Sequence, residues 1–217
     1  MMRKISLTVC LAIFSMYVNA QSFKRGSLVL ELNTGLEIYN TELKLTVKDP
    51  NSRRDTSYSD KAGNTNFGVS LECGLHKRLG LGVRFKTNKY FTETDSVTKR
   101  KPEVKSNDLL LLVNFHPVVR KHVDLVLGAD VGLSSFKYKA NDSLNLVLTG
   151  SGSFVSLYLN PRIYIRRFGI NFKVYAPFTN YNSLTTNNDD FNKYVAITKW
   201  KGNGFGLSFG IQYRFFR

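Results

Sequence analysis

The chain has 217 residues and a formal net charge of +15, from 31 Lys and Arg against 16 Asp and Glu. Its length allows one large all-β domain or two small ones. A basic balance of this size is typical of nucleic-acid-binding proteins, but the start of the chain argues against that class.

The N-terminus has the pattern of an export signal. A basic pair at 3–4 precedes an apolar run over 5–18, and Ala20 lies where a signal peptidase expects a small residue. The pattern predicts a signal peptide over 1–20 and a mature domain over 21–217. The apolar run is too short for a spanning helix, which needs about 20 residues. An exported chain meets no nucleic acid, so none is predicted as a partner.

Eight stretches of the mature chain alternate between apolar and polar residues, which is the period of a β-strand with two different faces. They cover residues 28–38, 66–76, 81–88, 108–116, 123–134, 155–165, 170–179 and 204–216. Short connections near 78–80, 117–121 and 166–168 alternate with long ones through about 40–64, 92–106, 137–152 and 180–202. Eight strands with short turns at one end and long loops at the other predict an up-and-down antiparallel barrel.

Glycine decides which face of this barrel lies inside. Nine strand glycines share the polar face: Gly35, Gly68, Gly74, Gly82, Gly128, Gly132, Gly204, Gly206 and Gly210. The interior of an eight-stranded barrel is barely wide enough for side chains, so the inner face needs small residues. The apolar face then points outward, which is tolerable only in lipid. This pattern favours a transmembrane barrel over a soluble, ligand-binding barrel of the lipocalin kind.

The inner face carries nearly balanced charge. Its acids are Glu31, Glu37, Glu72, Asp108, Asp124 and Asp130, and its bases are Arg84, Lys86, Arg162, Lys173 and Arg214. The balance predicts a salt-bridged network that fills the lumen, in preference to a transport path. The expected pairs are Glu72 with Arg84 or Lys86, Glu31 with Arg214, and Asp124 or Asp130 with Arg162.

Further basic residues cluster at the short turns, without acids beside them. They are Lys24, Arg25, Lys77, Arg78, Arg120, Lys121, Arg166, Arg167 and Arg217. Two interpretations stay open for this rim: solvated turns, or contact with anionic lipid head groups.

The long connections also contain strand-like alternation, at 42–48, 136–139, 143–149 and 194–200. They predict protruding hairpins above the membrane. These hairpins either pair with each other or leave an edge for a partner strand. Pro161 falls inside the sixth stretch and predicts a bulge or break there, because proline donates no ladder hydrogen bond.

The end of the chain carries a motif that resembles the β-signal of outer-membrane proteins. Ser208, Gly210, Tyr213 and Phe215 match its polar, glycine and alternating aromatic positions, although Phe216 and Arg217 follow where many members end on the aromatic. With eight strands, the whole mature chain resembles small outer-membrane barrels of the OmpA/OmpX type and Bacteroidetes-like envelope barrels. The resemblance implies a Gram-negative outer membrane, insertion by the barrel-assembly machinery, short periplasmic turns and long surface loops.

No catalytic or metal site is predicted. The histidines His76, His116 and His122 all trace to the short-turn end, away from the outer rim where a nucleophilic site would be needed. Export leaves Cys73 as the single cysteine, at an outward apolar position, and these residues have no metal-ligand spacing. We therefore expect no enzyme activity and no cofactor.

Two functions stay open. The first is a non-enzymatic outer-membrane barrel, with a largely plugged lumen, that acts through extracellular loops in envelope structure, adhesion or assembly of an envelope complex. The second is a narrow pore for small solutes. The fold alone does not choose between them.

Overall fold

The computed structural model describes residues 23–49, 52–94, 100–141 and 146–215. The predicted signal peptide over 1–20 and the final two residues lie outside these ranges.

Eight antiparallel strands form a closed ring in chain order, because β1 pairs with both β2 and β8. The strands are β1 Leu28–Asp49, β2 Ser52–His76, β3 Leu79–Tyr90, β4 Glu103–Val119, β5 Val123–Lys139, β6 Val147–Ile165, β7 Phe168–Thr186 and β8 Val195–Arg214. A short helix, α1 (Asp189–Tyr194), joins β7 to β8. The predicted all-β, eight-stranded up-and-down barrel is confirmed.

The two faces of each strand lie in opposite environments, as the alternation predicts. On β8, Phe209 is 53% exposed while its neighbour Ser208 is 5% exposed. Charged side chains such as Glu31 are buried inside the ring, and large apolar side chains such as Leu133 are exposed outside it. This arrangement is the reverse of a soluble protein, and the outer face is suited to hydrocarbon. Among the described residues, no helix has the length and apolar character needed to cross a bilayer.

The strand glycines lie on the inner face, with one exception that the sequence analysis placed in a loop. Gly63 lies on the outward face of β2, opposite Ile38, and the ring of Phe91 covers it. At the inward positions there is little room for a side chain: a Cβ on Gly132 would lie 2.0 Å from the carbonyl oxygen of Leu109. Steric crowding therefore explains why the face that carries the glycines lies inside the barrel and the apolar face lies outside.

The long connections are shorter than predicted, because the strands continue past the expected membrane boundary. The segment 40–64, expected to be a loop, is almost entirely strand: β1 continues to Asp49 and β2 begins at Ser52. Register-paired residues run along this hairpin to its end. Strands also cover the predicted segments 136–139, 195–200 and, from Val147, part of 143–149, of which 143–145 lie outside the described residues. The predicted protruding hairpins are thus confirmed in the described part of the chain, and their end of the barrel is called the hairpin end below.

Proline interrupts the hydrogen-bond ladder where the sequence predicts it. Pro161 pairs with Leu125 on β5, whereas the pairing of β6 with β7 is absent over 160–161. The register on either side is unchanged, so this is a break and not a bulge. A register shift lies instead between Phe115 and Val118, around Pro117. That proline belongs to β4, which continues to Val119 through part of the predicted 117–121 connection.

Candidate functional site: the charged lumen and the hairpin rim

The middle of the lumen is organised around Glu31. Its carboxylate is 3.5 Å from a guanidinium nitrogen of Arg84 and 3.3 Å from the Lys173 ammonium. Gln212 donates to it at 2.6 Å. Arg84 also contacts Asp130, so that one chain of charges crosses the lumen from β1 to β5. All of these side chains are buried.

A second group of charges lies nearer the hairpin end. The Lys86 ammonium is 2.8 Å from Glu37 and 3.2 Å from Asp108. Glu37 also accepts hydrogen bonds from the Tyr39 hydroxyl at 2.6 Å and from the Asn64 amide at 2.8 Å. A lysine shared by two carboxylates, with neutral donors on the remaining lone pairs, satisfies most of this group internally.

A third group lies nearer the short-turn end. Arg162 donates to Glu72 at 2.8 Å and lies 3.8 Å from Asp124. The ring of His116 lies between the same two carboxylates, with one nitrogen 2.9 Å from Glu72 and the other 2.9 Å from Asp124. An imidazolium in this position donates to both acids.

The structure brings the predicted lumen residues together, but in different pairs. Glu72, expected beside Arg84 or Lys86, contacts Arg162 and His116. Glu31 contacts Arg84, Lys173 and Arg162 and not Arg214. The Arg214 guanidinium donates to the Arg166 carbonyl and lies over the Tyr164 ring. Of the expected pairs only Arg162 with Asp124 is present, at the long distance of 3.8 Å. The predicted pairs joined neighbouring strands, whereas most observed pairs cross the lumen.

Aromatic groups close both ends of this network. At the short-turn end, Phe23 is fully buried and stacks on His116 with ring centroids 3.7 Å apart. At the hairpin end, inward rings contact each other above the lysine-centred group. This aromatic cap consists of Tyr39, Tyr90, Phe136, Tyr181 and Trp200. Between the two ends, a cavity of about 10 Å³ lies beside Arg84, Lys86 and Lys173. That volume is close to the smallest that holds one water molecule.

His116 and Phe23 belong to this network, although neither was predicted as part of it. His116 shares the polar parity of β4, so the strand alternation could have added it to the inner charges. Phe23 precedes β1 and carries no periodic signal. The turn that buries it is held by Gly26 and Ser27, whose backbones hydrogen-bond to Gly74.

The histidines form no recognisable catalytic arrangement among the described residues. His76 is exposed at the β2–β3 turn, and His122 contacts the Tyr164 carbonyl at the β5 end. Both nitrogens of His116 face carboxylates, so neither is available to a nucleophile. No cluster of metal-ligating side chains occurs in the described part of the chain, and Cys73 is exposed on the outer face.

Within the described ranges, the hairpin end carries a strand edge that no other strand pairs with. Residues 54–62 of β2 pair with β1 along their whole length, but the pairing of β2 with β3 begins only at Asn64. The next backbone contact outward is the Phe91 N–H, which donates to the Gly63 carbonyl. The β1 side is different, because β1 is paired with β8 as far as Val47. Of the two alternatives, the hairpins therefore pair with each other on one side and leave an edge on the other.

The β-signal residues lie on β8 and just after it. Ser208 and Gly210 face the lumen, and Gly210 pairs with Asn33 of β1. The Tyr213 ring packs on the rings of Phe168 and Phe215, each with centroids 5.1 Å away. Recognition of this segment by an assembly machinery stays a prediction.

A closed ring of eight strands, with buried charges and an apolar outer belt, defines a small β-barrel of the outer-membrane class. No protein-family model and no curated protein matches the sequence. Among solved structures, the chain is similar to the outer membrane protein OprG from Pseudomonas aeruginosa, with 11% identity, a TM-score of 0.53, and coverage of 90% of this chain and 98% of that one. It is also similar to Neisserial surface protein A, with 10% identity, a TM-score of 0.51, and coverage of 88% and 100%. At these identities the likeness establishes the fold, which is shared with small outer-membrane barrels.

Proposed function

We propose that this protein is a non-enzymatic integral outer-membrane barrel with a closed lumen. It acts at the cell surface through its hairpins, in envelope structure, adhesion or assembly of an envelope complex. Residues 1–20 direct its export, and the segment from Ser208 to Phe215 presents it to the barrel-assembly machinery. The inside-out distribution of apolar and charged side chains supports the membrane location.

The observation that supports the closed lumen is the set of ion pairs between inward side chains. The ion pairs around Glu31, Glu37 and Glu72 occupy the section of the barrel between the two aromatic closures, and the cavity beside them has about 10 Å³. A solute path needs a continuous column of water. An interior without such a column leaves the outer rim as the surface where a partner is met.

Conductance separates this function from the alternative of a narrow pore. The full mature protein, reconstituted in a planar lipid bilayer, is expected to give no stepwise current above that of protein-free membrane. A general porin that is reconstituted by the same procedure serves as the positive control. Reproducible single-channel steps from the folded protein would refute the closed lumen and favour the pore.

The free edge of β2 is the part of the rim best suited to a protein partner. The Gly63 carbonyl faces β3, and alternate residues of a strand direct their backbone groups to the same side. The N–H groups of Ser59 and Lys61 therefore face the open side. An incoming strand would extend the sheet there by main-chain hydrogen bonds, with side chains setting specificity.

Ser59→Pro tests this edge, because it removes one outward N–H and leaves the ladder with β1 intact. In a strain lacking the gene, we expect the proline variant to fail to restore the envelope phenotype, measured as detergent sensitivity, and Ser59→Ala to restore it. Both variants should keep the heat-modifiable migration of a folded barrel in gel electrophoresis. Full complementation by a folded Ser59→Pro protein would contradict recognition at this edge.

A further inference from the structure

Three neighbouring strands carry an ordered grid of side chains on the outer wall, at the hairpin end. The register pairs nine outward residues of β3, β4 and β5 into three rows. The rows are Phe85, Leu109 and Leu133, then Thr87, Asn107 and Ser135, then Lys89, Lys105 and Lys137. Moving away from the apolar belt, the wall therefore changes from apolar to neutral hydrogen-bonding to cationic.

The lysine row is electrostatically unfavourable by itself. Lys105 is the direct cross-strand partner of both Lys89 and Lys137. Cβ atoms of opposite residues lie about 4.5–5.5 Å apart, and like charges at that spacing are destabilising. Glu103 contacts Lys105 and is its ion-pair partner. No described carboxylate lies within ion-pair distance of Lys89 or Lys137, so one acid faces three lysines in the described part of this wall.

The opposite wall carries a smaller lysine cluster. There, Lys44 has one lysine, Lys199, as a cross-strand partner, and Glu42 contacts Lys44 at 3.3 Å. The row on β3–β5 joins three lysines, and Glu103 contacts only the middle one.

The height of the row matches the head groups of a membrane. Each lysine lies four positions from the last outward apolar residue of its strand, toward the hairpin end, which is about 13 Å along the strand. For strands tilted 35–45° this corresponds to about 10 Å of height. The polar zone of a leaflet is about 5–7 Å thick, and a lysine stem reaches back toward it.

We propose that this grid binds a phosphate-bearing anionic lipid of the leaflet at the hairpin end. Its acyl chains lie over Leu109 and Leu133, its ester or hydroxyl oxygens meet the neutral row, and its phosphate lies against Lys89 and Lys137. The Thr87 hydroxyl and the Asn107 amide make no hydrogen bond to another described residue and are free to meet these oxygens. The site is distinct from the strand edge proposed above and does not depend on it.

Lipid titration of the detergent-solubilised protein, followed by native mass spectrometry, tests the site. The probes are dioleoylphosphatidylglycerol, which is anionic, and dioleoylphosphatidylcholine, which is zwitterionic. We expect the wild-type protein to prefer the anionic lipid. Because a lysine near an anionic surface contributes about fivefold to binding, Lys89→Gln with Lys137→Gln should weaken the phosphatidylglycerol affinity by about 30-fold. Phosphatidylcholine binding should not change.

A matched control removes the same charge elsewhere. Lys44→Gln with Lys48→Gln alters the β1 hairpin, beyond the apolar belt, and should keep the wild-type preference. Lys89→Arg with Lys137→Arg should keep it also, since the charge is retained. Equal affinity for the two lipids, or an unchanged affinity in the folded glutamine variant, would overturn the proposal. Displacement of the lipid by an equal concentration of inorganic phosphate would also overturn it, by assigning the lysines to free phosphate.

Discussion

At the scale of single residues, Arg162 has the most demanding environment in the protein. Its guanidinium lies within 4 Å of Glu72, Asp124 and Glu31, which belong to three different strands, and 2% of the residue is exposed. Removing a charge from water is costly, and the cost is recovered only when several partners surround it. One partner lost from such a group leaves the others buried without compensation.

Arg162→Ala should therefore destabilise the barrel by roughly 3–5 kcal/mol, because among the described residues Glu72 then has His116 as its one ion-pair partner. The measurement is the temperature at which the folded, fast-migrating form is lost in gel electrophoresis. Arg167→Ala, in the exposed β6–β7 turn, is the charge-matched control and should leave that temperature unchanged. A folded Arg162→Ala barrel as stable as the control would show that the pairs are not structural.

At the scale of strands, glycine and tyrosine are matched across the ladder. Tyr175 is paired with Gly206 and Tyr158 with Gly128, and in each case the ring lies over the glycine. A Cβ on Gly206 would lie 2.4 Å from the Tyr175 ring. The aromatic ring on one strand thus occupies the space that a side chain on the paired residue of the next strand would need.

Gly206→Val should destabilise the protein by about 1–3 kcal/mol through overpacking. With Tyr175→Ala already present, the same valine meets open space and should cost much less. The coupling in this double-mutant cycle, measured by denaturant unfolding in detergent, is expected to be about 0.5–3 kcal/mol. Strictly additive effects would mean that the ring does not restrict the site.

The alternation of β8 makes a topological prediction. In a Cys73→Ser background, Phe209→Cys should react with a lipid-soluble thiol probe, and Ser208→Cys should react far less. The Phe209 side chain lies on the outer face of the barrel, and the Ser208 side chain is buried inside it. Heat-modifiable migration checks that both variants fold. The reverse labelling pattern would indicate instead a soluble barrel with its apolar face inside.

The sequence predicts the strand faces well, because period-two alternation is a local property that each strand displays independently. The ion-pair partners inside the lumen, by contrast, cannot be predicted from alternation. Glu72 and Arg162 are 90 residues apart and meet across the ring. Which residues share a height depends on the stagger of all eight strands, which no local pattern encodes. The strand ends were also missed, since the polar hairpin residues of 52–60 alternate weakly and pair through their backbone.

At the scale of the whole molecule, inward side chains form three layers along the barrel. Phe23 lies at the short-turn end, the aromatic cap lies at the hairpin end, and the ion pairs lie between them. On the proposed function, these layers together close the lumen. The first closure was unpredictable from periodicity, because Phe23 lies before the first strand. The balance of inner charges did predict that the middle would be rich in ion pairs.

This layering predicts that the ends can be opened without creating a pore. Phe23→Ala combined with Trp200→Ala removes a ring from each closure but leaves Arg84, Glu31 and Lys173 in contact. The conductance of the double variant should stay at background in a planar bilayer. Stable channel steps in this variant, with wild-type protein silent, would place the barrier in the aromatic ends instead.

The cross-lumen ion pairs also bear on how the barrel forms. Glu31 of β1 meets Lys173 of β7, and Glu72 of β2 meets Arg162 of β6, so the partners approach only when the last strand reaches the first. An open sheet has these charges at its surface without partners, and contacts of such sequence separation form slowly. Neutralisation of the interior and closure of the ring are consequently a single event. A partly closed sheet gains little stability from these ion pairs before the ring closes. The barrel is therefore expected to fold and unfold in one cooperative step.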